Sequence, residues 1–158
     1  MSVDSSILVR VAVRGDTDAI VSIVNEAYRV EAFFVEGNRT SAAEVSELID
    51  REEILVATGE RAVVGCVHVS AEGGRGYFGM LAVTPTAQGR GIGLRLIREA
   101  EGRARTAGCQ FMDIKVVDVR TDLVAFYPRL GYRPVATEPY VHRPVLQPVH
   151  FIAMEKTL

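Results

Sequence analysis

The residues with the most chemistry to offer lie in one stretch, Leu81-Ala82-Val83-Thr84-Pro85-Thr86-Ala87-Gln88-Gly89-Arg90-Gly91-Ile92-Gly93. A strand-like run ends there, a short loop turns, and a helix begins on glycines. Three alternate glycines remove Cβ atoms where a ligand could approach the backbone. The first N–H groups of a helix have no internal partner and carry partial positive charge. Together these features make a site for a pyrophosphate. Two known phosphate loops fail the comparison. A G-x-G-x-x-G fingerprint started from Gly89 meets Leu94 at its third glycine, and started from Gly91 it meets Leu96. A Walker loop needs Gly-Lys-Ser/Thr, and the segment holds no lysine. On the glycines alone, an ordinary Gly-rich turn is an equal account.

The elements around this loop can be read from periodicity. Ile7 to Val13 reads as a strand, closed by Gly15 and Asp16. Ile20, Ile23, Val24, Ala27 and Tyr28 recur at helical spacing and give one buried helix face. Ser41 with Glu44 has the spacing of a capping box for the next helix, whose stripe is Val45, Leu48 and Ile49. Ile54 to Thr58 and Ala62 to Ser70 flank Gly59-Glu60-Arg61 and read as a hairpin. Glycines 73, 74 and 76 make another turn, and Tyr77 to Val83 is a third strand.

A long helix is expected from Gly91 to Gly108. Its core face is Gly93, Leu96, Ile97, Ala100, Ala104 and Ala107; its outer face is Arg95, Arg98, Glu99, Glu101, Arg103 and Arg105. Glu99–Arg103 and Glu101–Arg105 have i,i+4 spacing in the favourable order. The strand Phe111 to Val117 follows, then a short helix marked by Leu123, Phe126, Tyr127 and Leu130 and ended by Gly131. Two strands close the chain, Tyr132 to Ala136 and Val149 to Met154, around a loop holding Pro139, Pro144 and Pro148. The order β-α-α-β-β-β-α-β-α-β-β predicts a mixed α/β sheet with helices on both faces.

The chain has 158 residues, about one domain, and is long enough to bury a core without disulfides or metals. A single domain over residues 1–158 is the expectation. A net charge of −2 weighs against a dedicated nucleic-acid binder, although the 16 Arg far outnumber the 2 Lys. That bias suits a GC-rich genome. Cys66 and Cys109 are two scattered thiols, and His68, His142 and His150 lack metal spacing, so no metal site is expected. Free thiols suit a reducing cytoplasm. The N-terminal MSVDSSILVR lacks the pattern of a secretory leader, and no run of 18 apolar residues would span a membrane.

Gln88-Gly89-Arg90-Gly91-Ile92-Gly93 resembles the Q/R-x-x-G-x-G/A loop of the Gcn5-related N-acetyltransferase (GNAT) superfamily. Ala125-Phe126-Tyr127-Pro128-Arg129-Leu130-Gly131-Tyr132 resembles that family's A-x-x-F-Y-x-x-x-G-F/Y stretch. Residues 116–132 also resemble a subgroup with R-x-E-L-x-x-F-Y-x-R-x-G-Y, here with Asp122 where Glu is usual. The resemblance implies a GNAT fold: a mostly antiparallel, twisted sheet of about seven strands. It implies acetyl-CoA as cofactor, its pyrophosphate on the backbone of Gln88, Gly89, Arg90, Gly91, Ile92 and Gly93. The pantetheine arm would lie between two splayed parallel strands and pair with Leu81 and Val83. An N–H near Leu81 or Ala82 would polarise the thioester, and Tyr127 would be the general acid. A homodimer is a further implication, with His150 to Met154 and the loop before it as contacts.

Each residue also has a plainer reading. Phe126 and Leu130 read as core, and Tyr127 shares their stripe, so its hydroxyl is either structural or catalytic. Arg90 is either a phosphate contact or an exposed loop residue. Pro128 should kink the short helix.

The resemblance implies that the segment joining the first two helices, Tyr28 to Thr40, forms one wall of the acceptor site; a surface loop with a hydrophobic anchor is the equal, plainer account. As a wall, the segment offers Phe33 or Phe34 to pack on a substrate, Glu31 or Glu36 to take the amine, and Arg39 to hold an anionic group. Arginine's planar fork suits a carboxylate. The loop Glu138 to Pro148, with Tyr140, His142 and Arg143, would form the opposite wall. The expected function is acetyl transfer to the amine of a small molecule by direct attack. The competing readings are a non-catalytic acyl-CoA-binding module and an enzyme acting on a protein amine.

Overall fold

The computed structural model describes residues 6–158. Residues 1–5, the start of the stretch read as lacking a leader, lie outside the described residues. Seven strands form one sheet: β1 (Leu8–Val11), β2 (Ile54–Thr58), β3 (Val63–Glu72), β4 (Arg75–Val83), β5 (Phe111–Val117), β6 (Arg133–Pro139) and β7 (His150–Thr157). Four helices accompany them: α1 (Thr17–Ala27), α2 (Ala42–Asp50), α3 (Ile92–Thr106) and α4 (Thr121–Phe126). The spatial order is β1-β2-β3-β4-β5-β7-β6, and every neighbouring pair is antiparallel except β4 with β5.

One apolar cluster joins α3 to its face of the sheet through Leu96, Ile97, Ala100, Ala104, Phe78 and Met112. A second joins α1 and α2 to the other face through Ile20, Val24, Val45, Ile49, Val56 and Cys66. The expected helices on both faces are therefore present. Ser41 caps α2, its Oγ accepting from the Glu44 N–H at 3.2 Å. The Glu44 carboxylate accepts instead from Thr40 Oγ1, so the reciprocal half of the capping box is not seen.

The β4–β5 contact positions the site. These strands pair only at Arg75↔Phe111, Gly76↔Met112 and Tyr77↔Asp113, and beyond Tyr77 they separate. Gly76 sits at the closed end of this V. A Cβ there would lie 2.7 Å from both Ala104 Cβ and Met112 Sδ, so only glycine lets α3 and β5 approach this closely.

Further along β4, Cys66 faces Ala82 while His68 faces Gly79. Met80 and Leu81 thus oppose the single residue Val67, which is a β-bulge. Met80 takes the left-handed conformation, φ +52°. The bulge shifts the phase of side-chain alternation. Phe78, Leu81 and Val83 pack with the α3 cluster, while Met80 and Ala82 pack with the α1–α2 cluster.

Several sequence expectations are corrected. Ala107 is exposed, and Glu101, placed on the outer face of α3, is 4 % exposed. Glu101 accepts from the Tyr132 hydroxyl at 2.6 Å and from Lys156 Nζ at 2.9 Å, rather than pairing with Arg105. Arg103 donates to the Glu52 carbonyl instead of pairing with Glu99. Helical wheels miss these partners because they come from β7, from the residue before β6 and from the turn between α2 and β2. Phe126 is partly exposed rather than plain core. Pro128 does change the helix, which tightens into a 3-10 turn over Tyr127–Leu130. The last strand, β7, lies between β5 and β6, so the sheet edge belongs to β6.

Gly76→Ala should overpack the root of the V and cost about 1–3 kcal/mol. Urea denaturation should show a lower midpoint, and an unchanged midpoint would contradict the tight approach at this position.

Candidate active site

A cavity of about 420 Å³ opens in the V between β4 and β5. Its first half is backbone. Leu81, Ala82 and Val83 line it where β4 leaves the bulge, followed by Ala87, Gln88 and Gly89, then Gly91, Ile92 and Gly93 at the start of α3. Gln88 Nε2 donates to the Val83 carbonyl at 3.1 Å and ties the loop to its strand. Gly89 and Gly91 have φ of +79° and +77°, and a Cβ on either would meet nothing within 4 Å. Glycine serves conformation here, and the open space beside it admits a ligand to the backbone. Gly91 is the N-cap of α3 and provides no side-chain cap, so the N–H groups of the first turn face outward for an anion. A pyrophosphate fits this cradle. Arg90, the one expected loop contact not lining the cavity, is exposed beside it.

The second half is polar and aromatic. Tyr127 is buried and lines the cavity, against Phe78 and Tyr132 with ring centroids 6.0 and 5.9 Å away. Burial pushes its hydroxyl up to about 12, partly opposed by the Arg120 charge. The phenol therefore keeps its proton through neutral pH. Tyr77 and Tyr28 also line the cavity, and burial raises both hydroxyls. Tyr77 fits because Gly79 lacks a Cβ, which would lie against the tyrosine hydroxyl.

The expected acceptor wall is only partly in place. Arg39 lines the cavity, its guanidinium 5.4 Å from the Tyr28 ring centroid and 3.9 Å from the Glu44 carboxylate. Glu31 lines it too, but both of its oxygens are taken. Arg143 donates to one at 2.6 Å and Arg120 to the other at 3.2 Å. Phe34 is fully buried behind the wall, packed with Val117 and Phe151. Phe33 is 55 % exposed, and Glu36 is exposed; neither lines the cavity. The substrate contact expected of Phe33 or Phe34 is therefore not formed in this geometry.

The cavity gains residues that periodicity did not single out: Tyr77, Lys115, Arg120 and Phe151. Tyr140, His142 and Arg143 line the cavity as well. Arg120 and Glu31 are 89 positions apart, and local pattern could not join them.

Comparison with known proteins agrees with this geometry. A family model described as the acetyltransferase (GNAT) family matches residues 18–132. The chain belongs to the GNAT acetyltransferase family. It is 29% identical over 118 residues to an IAA acetyltransferase of Azospirillum brasilense, covering 73% of this chain and 77% of that protein. Among solved structures it resembles yncA, a putative acetyltransferase of Salmonella typhimurium with its cofactor acetyl-CoA. That match has a TM-score of 0.77 at 19% identity and covers 98% of this chain and 95% of the other. A phosphinothricin acetyltransferase of Sinorhizobium meliloti, in complex with AcCoA, matches with a TM-score of 0.75 at 23% identity, covering 97% and 89%. The GNAT fold is thus shared across proteins of low sequence identity. Among the described residues no helix is long and apolar enough to cross a membrane.

Gly91→Glu would place a charged side chain in the open space beside the loop, at a φ that disfavours it. CoA affinity should fall at least tenfold by calorimetry. A folded variant with unchanged affinity would remove the pyrophosphate from this loop.

Proposed function

We propose that this GNAT chain transfers acetyl from acetyl-CoA to the amine of a small molecule that also carries a carboxylate. The observation that carries this reading is how the two walls of the acceptor end are joined. The Glu36 N–H donates to the Pro144 carbonyl, the Leu146 N–H to the Phe34 carbonyl, and Val35 bridges Val145. Glu31 and Arg143 pair beneath them. A peptide acceptor needs a long open groove, and a bridge between these two segments works against one, whereas a small acceptor does not need it.

Arg39 supports the carboxylate. Arg120 and Arg143 both hydrogen-bond to Glu31, and Arg120 also bonds both Asp122 oxygens. Lys115 pairs with Glu138 at 2.9 Å. Arg39 stacks on Tyr28 and stands 3.9 Å from Glu44, beyond hydrogen-bonding distance, so its donors can turn to a ligand.

Bound acetyl-CoA would supply a thioester whose carbonyl carbon an amine attacks directly. The residues of β4 and α3 would hold it: the α3 N-terminus at the pyrophosphate, Leu81 and Val83 along the arm, and a backbone N–H at the bulge near Leu81 or Ala82 toward the carbonyl oxygen. Tyr127 would give its hydroxyl proton to the departing sulfur. The apolar surroundings that keep the phenol protonated also raise the basicity of a thiolate beside it. Glu31, held between two guanidiniums, would fix the acceptor wall rather than take a proton. The free thiols Cys66 and Cys109 suit a reducing cytoplasm. A homodimer would use the exposed edge of β6 rather than β7.

Tyr127→Phe keeps the packing and removes the acid. With acetyl-CoA and an amine panel monitored by free thiol, kcat should fall about 10²-fold or more while CoA affinity holds. Equal kcat would make the phenol structural. CoA binding with no turnover on any amine would favour a non-catalytic binding module. Arg39→Lys keeps the charge and loses the planar fork. KM for the amine should rise about tenfold, near 1.4 kcal/mol, with KM for acetyl-CoA unchanged. A shift in the acetyl-CoA constant alone would place Arg39 on the cofactor.

A further inference from the structure

Acetyl transfer requires the acceptor nitrogen to lose a proton before it attacks, and most of the cavity's groups are unsuited to take it. Glu31 is occupied by Arg120 and Arg143. The hydroxyls of Tyr28, Tyr77 and Tyr127 are held protonated by burial. Glu36 lies outside the lining.

His142 remains. It lines the acceptor end of the same cavity as Tyr127, from the loop between β6 and β7. Its ring is set edge-on against Tyr140 and Phe151, with centroids 5.8 and 5.3 Å away. Among the described residues its ring nitrogens have neither a hydrogen-bond nor an ion-pair partner, unlike those of His68 on Glu53 and His150 beside Asp118. It is also solvent-exposed, which gives a captured proton a route to water.

We propose that His142 is the general base that deprotonates the acceptor ammonium. This assignment rests on the acetyltransferase reading above. One proton of R–NH3+ passes to a ring nitrogen of His142 and on to water. The nitrogen lone pair forms the C–N bond as the C–S bond breaks, and the electron pair leaves on sulfur, which takes the Tyr127 proton. The second nitrogen proton then restores the phenol. The products are an amide, the CoA thiol and one proton released to solvent.

The electrostatics of the site agree. The groups acting on His142 are Arg39 from the segment before α2, Lys115 on β5, Arg143 in its own loop and Glu44 on α2. Partial burial, then Arg39, Lys115 and Arg143, lower its pKa, against a raising contribution from Glu44. The imidazole is therefore neutral, and able to accept a proton, at pH 7.

The test uses acetyl-CoA with a panel of aliphatic amino acids, following free thiol against pH. Wild-type kcat/KM should fall on the acid side as His142 protonates, with a midpoint below the ordinary imidazole value of about 6.5. His142→Gln should lose about 10²-fold at pH 7 together with that limb, at unchanged CoA affinity. Imidazole added to His142→Ala should restore part of the rate, which a merely structural role would not allow. Without any substrate, the imidazole NMR signal missing from His142→Gln should titrate below about 6.5 in the wild type. A His142→Gln enzyme that keeps the wild-type rate and acid limb overturns the base assignment alone. So does a His142 signal that titrates above about 7. No thiol release by the wild type with any amine overturns the acetyltransferase reading, and the base with it.

Discussion

The structure depends on the parting of β4 and β5. Two adjacent parallel strands in a sheet normally pair along their length, and separating them leaves backbone donors and acceptors without partners. Here pairing stops after Tyr77 and Asp113, and the cavity occupies the gap. Backbone groups that would have bonded across the sheet instead face the cavity. The sheet tolerates the gap because each strand is held from its other side, β4 by β3 and β5 by β7 along its whole length.

The bulge at Met80-Leu81 and the helix at Gly91 complete that device. The bulge turns Leu81 and Val83 toward the α3 side, while Met80 and Ala82 anchor the strand in the α1–α2 cluster. A non-glycine residue at φ +52° is a strained choice, and it sits where the acyl group is expected. Behind the site, Phe78 and Tyr127 each meet Tyr132 edge-on and are tilted against one another, and the Tyr132 hydroxyl reaches Glu101 on α3. Lys156 of β7 completes this buried arrangement. The aim of the Tyr127 hydroxyl is thus set by a helix and a strand on which it does not itself lie.

Much of this was legible in the sequence because the elements follow clear periods. The stripe Ile20–Val24 gave α1, the run Ile54–Thr58 matched β2 residue for residue, and glycines 91 and 108 bracketed α3. The glycine loop was legible because its parts are local: a strand end, glycines and a helix start lie next to one another in the chain. The acceptor end was not, because it is assembled by topology. Arg120, Glu31 and Arg143 meet from three separate segments, and Lys115 and Tyr77 enter from strands whose alternation alone does not say which face holds a cavity. Phe33 and Phe34 looked equivalent in sequence, yet one entered the cluster behind the wall and the other stayed outside it. Glu101 looked like an exposed helix charge because its partners come from elements far along the chain.

The central claim is that the gap between β4 and β5 is the seat of the acetyl donor. A crystal structure of the protein with CoA tests it most directly. The account predicts the pantetheine arm between the two strands, hydrogen-bonded to the backbone of Leu81 and Val83, with the pyrophosphate on the N–H groups between Gln88 and Gly93. CoA bound elsewhere, with β4 and β5 paired beyond Tyr77, would contradict it.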